Sequence, residues 1–224
     1  MGMFGLPPEY LFAYVIVIFL AIGIHEYAHA KFADMAGDLT PRAEGRVTLD
    51  LTKHFEVTGT LMMIFTAATG FGLGWGKPVN VNPGKMKNPR WDHFTAVLAG
   101  PVSNLVQAGV WAVLYRIVAM TSPTLIITDN FFSYLLMLGV VVNLGLFLFN
   151  LLPLGPLDGH WLVGQMIPAL HRERWYRWHR SYGRIALLVL VIGSQILYAA
   201  RLPSPMALMA IPRDALFRFM VGGF

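Results

Sequence analysis

An all-α polytopic membrane protein is the fold class this sequence predicts, with about four spanning helices plus a re-entrant hairpin and short β segments near a polar site. Three observations predict it. Of 224 residues, 56% are hydrophobic and 13% are charged, about half the charged share of an ordinary soluble domain. The apolar residues gather into stretches of roughly the 20 residues that a spanning helix needs. The positive charge is also unevenly placed. Ala169 to Arg184 holds Arg172, Arg174, Arg177, Arg180 and Arg184, whereas Met120 to Phe132 holds no Lys or Arg. Cationic loops stay on the cytoplasmic side, so the first stretch is expected inside and the second outside. Apolar helices flank the arginines, which points to a membrane surface and not to nucleic acid.

The elements follow in order. Tyr10 to Phe32 is the first span, with Glu9 and Lys31 near its ends. Its "AHA" (28–30) has the look of a signal-peptide cleavage site, but no Lys or Arg precedes the apolar run, so a retained helix is expected. "GRVTLDLTKHFEVTGT" (45–60) alternates and is rich in Thr and Val, which predicts a short strand or hairpin. Val57 to Trp75 is apolar but loosened by Gly59, Gly70, Gly72 and Gly74. "GWGKPVNVNPGK" (74–85) reads as strand and turn, punctuated by Pro78 and Pro83. Phe94 to Met120 and Phe131 to Leu152 are the next two spans. "PLGPLDG" (153–159) cannot be regular helix, because its prolines and glycines break one. Ile185 to Ala200 is the last span, bracketed by Arg184 and Arg201, whose heads can snorkel to the interfaces. Met206 to Phe219 mixes apolar residues with Arg213, Asp214 and Arg218 and is expected to lie along the interface.

The chemistry sits at the end of the first span, in "GIHEYAHAK" (23–31). Ionisable groups at membrane depth are expensive and usually functional. His25 and His29 are four apart and share a helix face, with Glu26 about 100° round. This is the H-E-x-x-H pattern: two imidazoles for a zinc ion and a carboxylate for the attacking water. A catalytic zinc needs a third protein ligand and an open position. The chain has no cysteine, so that ligand must be His, Asp or Glu. Asp34, Asp38 and Glu44 are candidates. Asp158 is the better one, because the break that carries it lies at a helix end, where irregular backbone is tolerated only beside protein or a wet cavity. His25 lies about 9 Å along the axis from Lys31, and the arginine cluster puts Asp158 at the same end of the membrane.

Parity then constrains Val57 to Trp75. If it crossed the membrane once, Lys77, Lys85, Lys87 and Arg90 would lie outside, and Asp158 would end on the side opposite His25. A re-entrant hairpin keeps all three ligands together. The remaining polar groups read as structural. His54 with Glu56 and Asp92 with His93 are solvated or structural pairs, His160 stands behind the ligand, and His171 and His179 are surface residues. "AGPVSN" (99–104), with Asn104, is a small-residue surface for close helix packing.

"HEYAH" on a membrane helix, then "AGPVSN", then "NLLPLGPLDG" (150–159), resembles the site-2 protease family of intramembrane zinc metalloproteases. "GRVTLDLTKHFEVTGT" and "GWGKPVNVNP" resemble its small prokaryotic members, which lack a PDZ or CBS module. The resemblance implies one zinc ion held by His25, His29 and Asp158, with Glu26 as general base and Asn150 holding substrate. It implies a single intramembrane protease domain over 1–224, with its core at 10–165 and a C-terminal helix and interfacial tail at 183–224. It further implies a multi-pass protein of the cell membrane whose site faces the cytoplasm, acting on transmembrane segments of other membrane proteins. Relatives tend to read Asn-Pro after the Thr-Leu pair and His-x-Asp-Pro soon after; this chain has Asp50-Leu51 and His54-Phe55-Glu56-Val57. Two rival readings use the same residues: a metal transporter or sensor, and an inactive adaptor that binds membrane helices. Transport through a His-His-Asp site does not need the non-ligand carboxylate of Glu26, and an adaptor does not need the metal.

Overall fold

The computed structural model describes residues 6–69 and 71–222; Gly70, one of the loosening glycines, lies outside them. The described residues form helices and contain no strand. In chain order the α-helices are α1 (Pro8–Met35), α2 (Thr40–Ala43), α3 (Val57–Thr69), α4 (Trp91–Thr121), α5 (Thr124–Ile127), α6 (Phe131–Asn150), α7 (Asp158–Met166), α8 (Ala169–Trp178), α9 (Arg184–Ala199) and α10 (Ala210–Val221). Four helices are long and apolar enough to cross a membrane: α1, α4, α6 and the run Ala169–Ala199, in which a π-helical turn joins α8 to α9.

α1, α4 and α6 pack against one another and form the centre of the molecule. Their inner faces are small: Ala13, Ala21, Ala28, Ala96, Ala99, Gly100, Ala108 and Ala112 are buried. Phe12, Val15, Phe19, Val106, Val110 and Ile117 face outward and are exposed. Small residues let helices approach closely where lipid, not water, surrounds them. Gly139 illustrates the need, because a Cβ there would run into the Trp111 ring on α4. α10 packs on α4 and α6, with Val221 joining the cluster of Ala108, Ala112, Val140 and Leu144.

The segment between α1 and α4 departs from the expected strands. α1 closes on Gly37, whose φ of +106° suits a residue without a side chain. Asp50 then accepts from the Thr52 amide and hydroxyl and caps a 3₁₀ turn at Leu51–His54. A carboxylate bonded to its own backbone competes with a sheet ladder. Arg46 and His54 also turn inward instead of alternating. Arg46 donates to the carbonyls of Lys77 and Pro78, and His54 Nε2 donates to Thr48 O at 3.0 Å. Residues 45–54 and 77–82 are therefore neighbours, as expected, but as turns and extended chain without a ladder. One backbone bond, Lys77 N to His54 O at 2.8 Å, ties them together.

α3 leaves this point and the chain comes back beside it. A Cβ on Gly59 would strike Trp75, and one on Gly74 would strike Met63. At the far end Gln195 of α9 exchanges two 2.9 Å hydrogen bonds with the backbone of Gly72. Lys87 N bonds to Ala36 O at 3.1 Å, so the excursion from α1 to α4 begins and ends at one level.

Candidate metal centre

α1 presents His25 and His29 one turn apart towards α4. His29 Nδ1 lies 2.9 Å from Ala96 O, and His25 Nδ1 lies 2.7 Å from Asn104 Oδ1. Asn104 uses its NH₂ group on Ala21 O, at 3.1 Å, so its oxygen faces the ring. Both partners are acceptors, which assigns each ring proton to Nδ1 and leaves a lone pair on each Nε2.

Asp158 is the first residue of α7, where the chain resumes helix after the break at 151–157. Gly159 makes that restart possible, since a Cβ there would collide with the carbonyls of Leu151 and Leu152 at the end of α6. From this position Asp158 Oδ2 reaches 3.2 Å from His25 Nε2 and 3.4 Å from His29 Nε2, while the two Nε2 atoms are 3.0 Å apart. Asp158 Oδ2 is buried and has no hydrogen-bond partner. With both rings neutral, three electron-pair donors thus converge on one point. That arrangement is repulsive by itself and suits a cation. Ligands at about 2.05 Å round a tetrahedral ion stand about 3.3 Å apart, so the donor set fits a small divalent metal. Gly100 of α4 leaves room for the two imidazoles; a Cβ there would overlap the His29 ring and lie 2.7 Å from His25 Cε1.

Glu26 is next to His25, and its Oε1 is 3.5 Å from where a Cβ on Gly76 would sit. The returning extended segment therefore runs past this carboxylate. Asn150 ends α6, and its Nδ2 donates to Leu146 O at 3.1 Å.

The other candidate acids are occupied elsewhere. Asp34 pairs with Arg42 at 2.6 Å and Glu44 accepts from Asn80. Asp38 accepts from the amides of Thr40 and Asn82. Burial resists its charge, but these bonds and the Thr40 side chain outweigh that and hold its carboxyl below the usual carboxylate range. His93 accepts from Gln165 and Asp92 from the Asn88 amide, so neither joins the centre. Burial pushes the His54 imidazole below its ordinary value, in keeping with a neutral structural ring.

Three residues differ from expectation. Asn104 is more than part of a small-residue surface, because it holds the tautomer of His25. Gly100, in the same stretch, makes space for both imidazoles. His179 is buried, not a surface residue: its ring nitrogens face Trp175 O and Pro153 O, and it stacks on His160. It braces the break that carries Asp158. The Pro-Gly spacing announced the break, but nothing local in the sequence tied it to a residue 26 positions later.

The sequence pattern of peptidase family M50 matches residues 116–193, a stretch that holds Asn150 and Asp158. The putative zinc metalloprotease YwhC of Bacillus subtilis (strain 168) is 37% identical over 192 residues, covering 82% of this chain and 83% of that protein. That alignment is longer than the family match and extends the likeness well beyond it. No solved structure matches.

Proposed function

Because the chain belongs to peptidase family M50, we propose that it is an intramembrane zinc metalloprotease that hydrolyses peptide bonds in transmembrane segments of other membrane proteins. The observation that carries this reading is the convergence of His25 Nε2, His29 Nε2 and Asp158 Oδ2 within 3.0–3.4 Å of one another, towards the C-terminal end of an apolar helix. These three residues would hold one zinc ion. When bound, zinc supplies the Lewis acidity that polarises a scissile carbonyl and makes water a nucleophile near neutral pH.

Glu26 takes the proton of the attacking water and returns it to the leaving amine. Gly76 keeps backbone, not a side chain, beside that carboxylate. The extended stretch 73–77 joins no ladder, so an unwound substrate could pair along it, as an added strand pairs with an edge. Unwinding is required because helical backbone hides its carbonyls. Asn150, at the end of α6, would bond such a chain through its amide oxygen, its Nδ2 being used on Leu146 O. In this reading α3 and its return form a re-entrant hairpin, covered by protein at its tip through Gln195. The whole chain acts as one membrane-embedded unit whose site opens to the cytoplasm.

The test is a pair of variants assayed on a model transmembrane substrate with zinc measured in parallel. Glu26→Gln should keep zinc and lose on the order of 10² to 10⁴ in rate, the usual cost of removing a general base. Asp158→Ala should lose both zinc and cleavage. Cleavage by Glu26→Gln at the wild-type rate would sink the assignment.

A further inference from the structure

Behind His25 a chain of amides runs from α1 through α4 to α6. His25 Nδ1 is 2.7 Å from Asn104 Oδ1, and Asn104 Nδ2 is 3.0 Å from Asn143 Oδ1. Asn143 Nδ2 in turn lies 2.8 Å from Gly139 O on its own helix. Both asparagines are 0% exposed, so water cannot substitute for any of these partners.

Each group fixes the orientation of the next. Gly139 O can only accept, so the NH₂ of Asn143 faces it and the oxygen of Asn143 faces Asn104. Asn104 then meets two acceptors, Asn143 Oδ1 and Ala21 O, with its NH₂ group. It must show its oxygen to His25. His25 answers with a proton on Nδ1, and the lone pair stays on Nε2, the atom that faces His29 and Asp158.

The geometry points to Asn143 as a positioning residue for the metal centre, and we propose that it sets the tautomer of His25 through Asn104. The hydrogen bonds of the Asn143 side chain go to Asn104 and Gly139, not to a proposed metal ligand. Without its oxygen, Asn104 has one acceptor fewer holding its NH₂ away from the ring. A half-turn of that amide would present NH₂ to Nδ1, move the ring proton to Nε2 and aim an N–H where a ligand lone pair is required. The choice of amides also has a reason. A carboxylate at position 104 would add a buried negative charge to a site that already holds Asp158 and Glu26, whereas an amide orients the ring and stays neutral. The inference rests on the zinc site proposed above.

The experiment uses the full chain in detergent, with zinc affinity read by chelator competition and the His25 tautomer read from imidazole ¹⁵N shifts of the metal-free protein. Asn143→Leu removes the whole link. Asn143→Ser is the variant that decides if the leucine protein does not fold. A serine hydroxyl can still bond the carbonyl four residues back but is too short to reach Asn104. Outer partners of metal-bound histidines are typically worth 10- to 100-fold in affinity. The serine variant should lose zinc affinity in that range, and its His25 signals should move from the Nδ1–H form towards a mixture. Asn104→Leu should lose at least as much, and the double variant no more than Asn104→Leu alone. Zinc affinity within twofold of wild type, with unchanged ¹⁵N shifts, would overturn the proposal. A wild-type chain that binds no zinc overturns the reading beneath it instead, and the tautomer comparison still decides the relay.

Discussion

At the scale of single residues, the centre depends as much on absent side chains as on present ones. His25, His29 and Asp158 can meet only because Gly100 leaves space under the imidazoles and Gly159 lets α7 start against the last carbonyls of α6. Adding one methyl group at either glycine tests this. In Gly100→Ala the new Cβ would overlap the His29 ring and in Gly159→Ala it would strike Leu151 and Leu152. Overpacking of this kind typically costs about 1–3 kcal/mol. Each variant should fold with a lower unfolding temperature and reduced zinc occupancy, measured on the purified protein. Full occupancy in both would mean that the glycines serve helix packing alone. The three residues that converge were legible in the sequence as candidate ligands, because two histidines four apart and a carboxylate in a Pro-Gly break are local patterns. Gly100, Asn104 and His179 were not legible in these roles. Their partners lie 71, 79 and 26 positions away, counted to His29, His25 and Pro153, and no helical periodicity spans such separations.

At the scale of elements, the excursion from α1 to α4 shows how side-chain chemistry overrides a residue pattern. Alternating Val, Thr and Leu in 45–52 suggested a strand. Asp50 captures its own backbone, and Arg46 and His54 satisfy carbonyls that a ladder would otherwise use. The proximity of the two segments was legible; their backbone form was not. Asp38 is the staple at the other end, since its carboxylate holds the Thr40 and Asn82 amides. Its carboxyl is held below the usual range, against an unfolded value of about 3.9. A depressed carboxyl contributes stability that is fully present above the unfolded value and is lost as pH falls through the folded one. Hydrogen exchange at Asn82 should therefore stay slow, once corrected for the intrinsic pH dependence, down to about pH 4 and lose protection below it. Asp38→Ala should show the unprotected behaviour at neutral pH. Protection that persists in the alanine variant would show that the Lys87–Ala36 bond alone holds the loop.

At the scale of the whole molecule, the question is on which side of the membrane each level lies. The structure brings Asp158 to His25 and His29, and it brings Lys87 to Ala36. α1 therefore ends, and α4 begins, at the level of the site. α4 has 31 residues, about 46 Å of helix at 1.5 Å per residue, more than the roughly 30 Å of a hydrocarbon core. It carries the chain away to Thr121, and α6 carries it back to Asn150. Lys31, Arg42, Arg46, Lys53, Lys77, Lys85, Lys87 and Arg90 belong to the near end, together with the arginines from Arg172 to Arg184, while Met120 to Phe132 has no Lys or Arg. Positive residues are retained on the cytoplasmic side, and on that ground we propose that the near end faces inward. A single crossing by α3 would break this arrangement, because it would carry the 80–87 turn away from the end of α1, to which Lys87 N is bonded through Ala36 O. The absence of cysteine from the sequence makes the orientation directly measurable. Single cysteines at Lys53, Lys87 and Thr124, in cells or sealed vesicles of known orientation, should react with an impermeant thiol reagent from the cytoplasmic side at the first two positions and from the outside at the third. Reaction at all three from one face would contradict α4 as a span. Reaction of Lys53 and Lys87 from the outside, with Thr124 inside, would keep the fold intact and turn the proposed protease to face the other compartment.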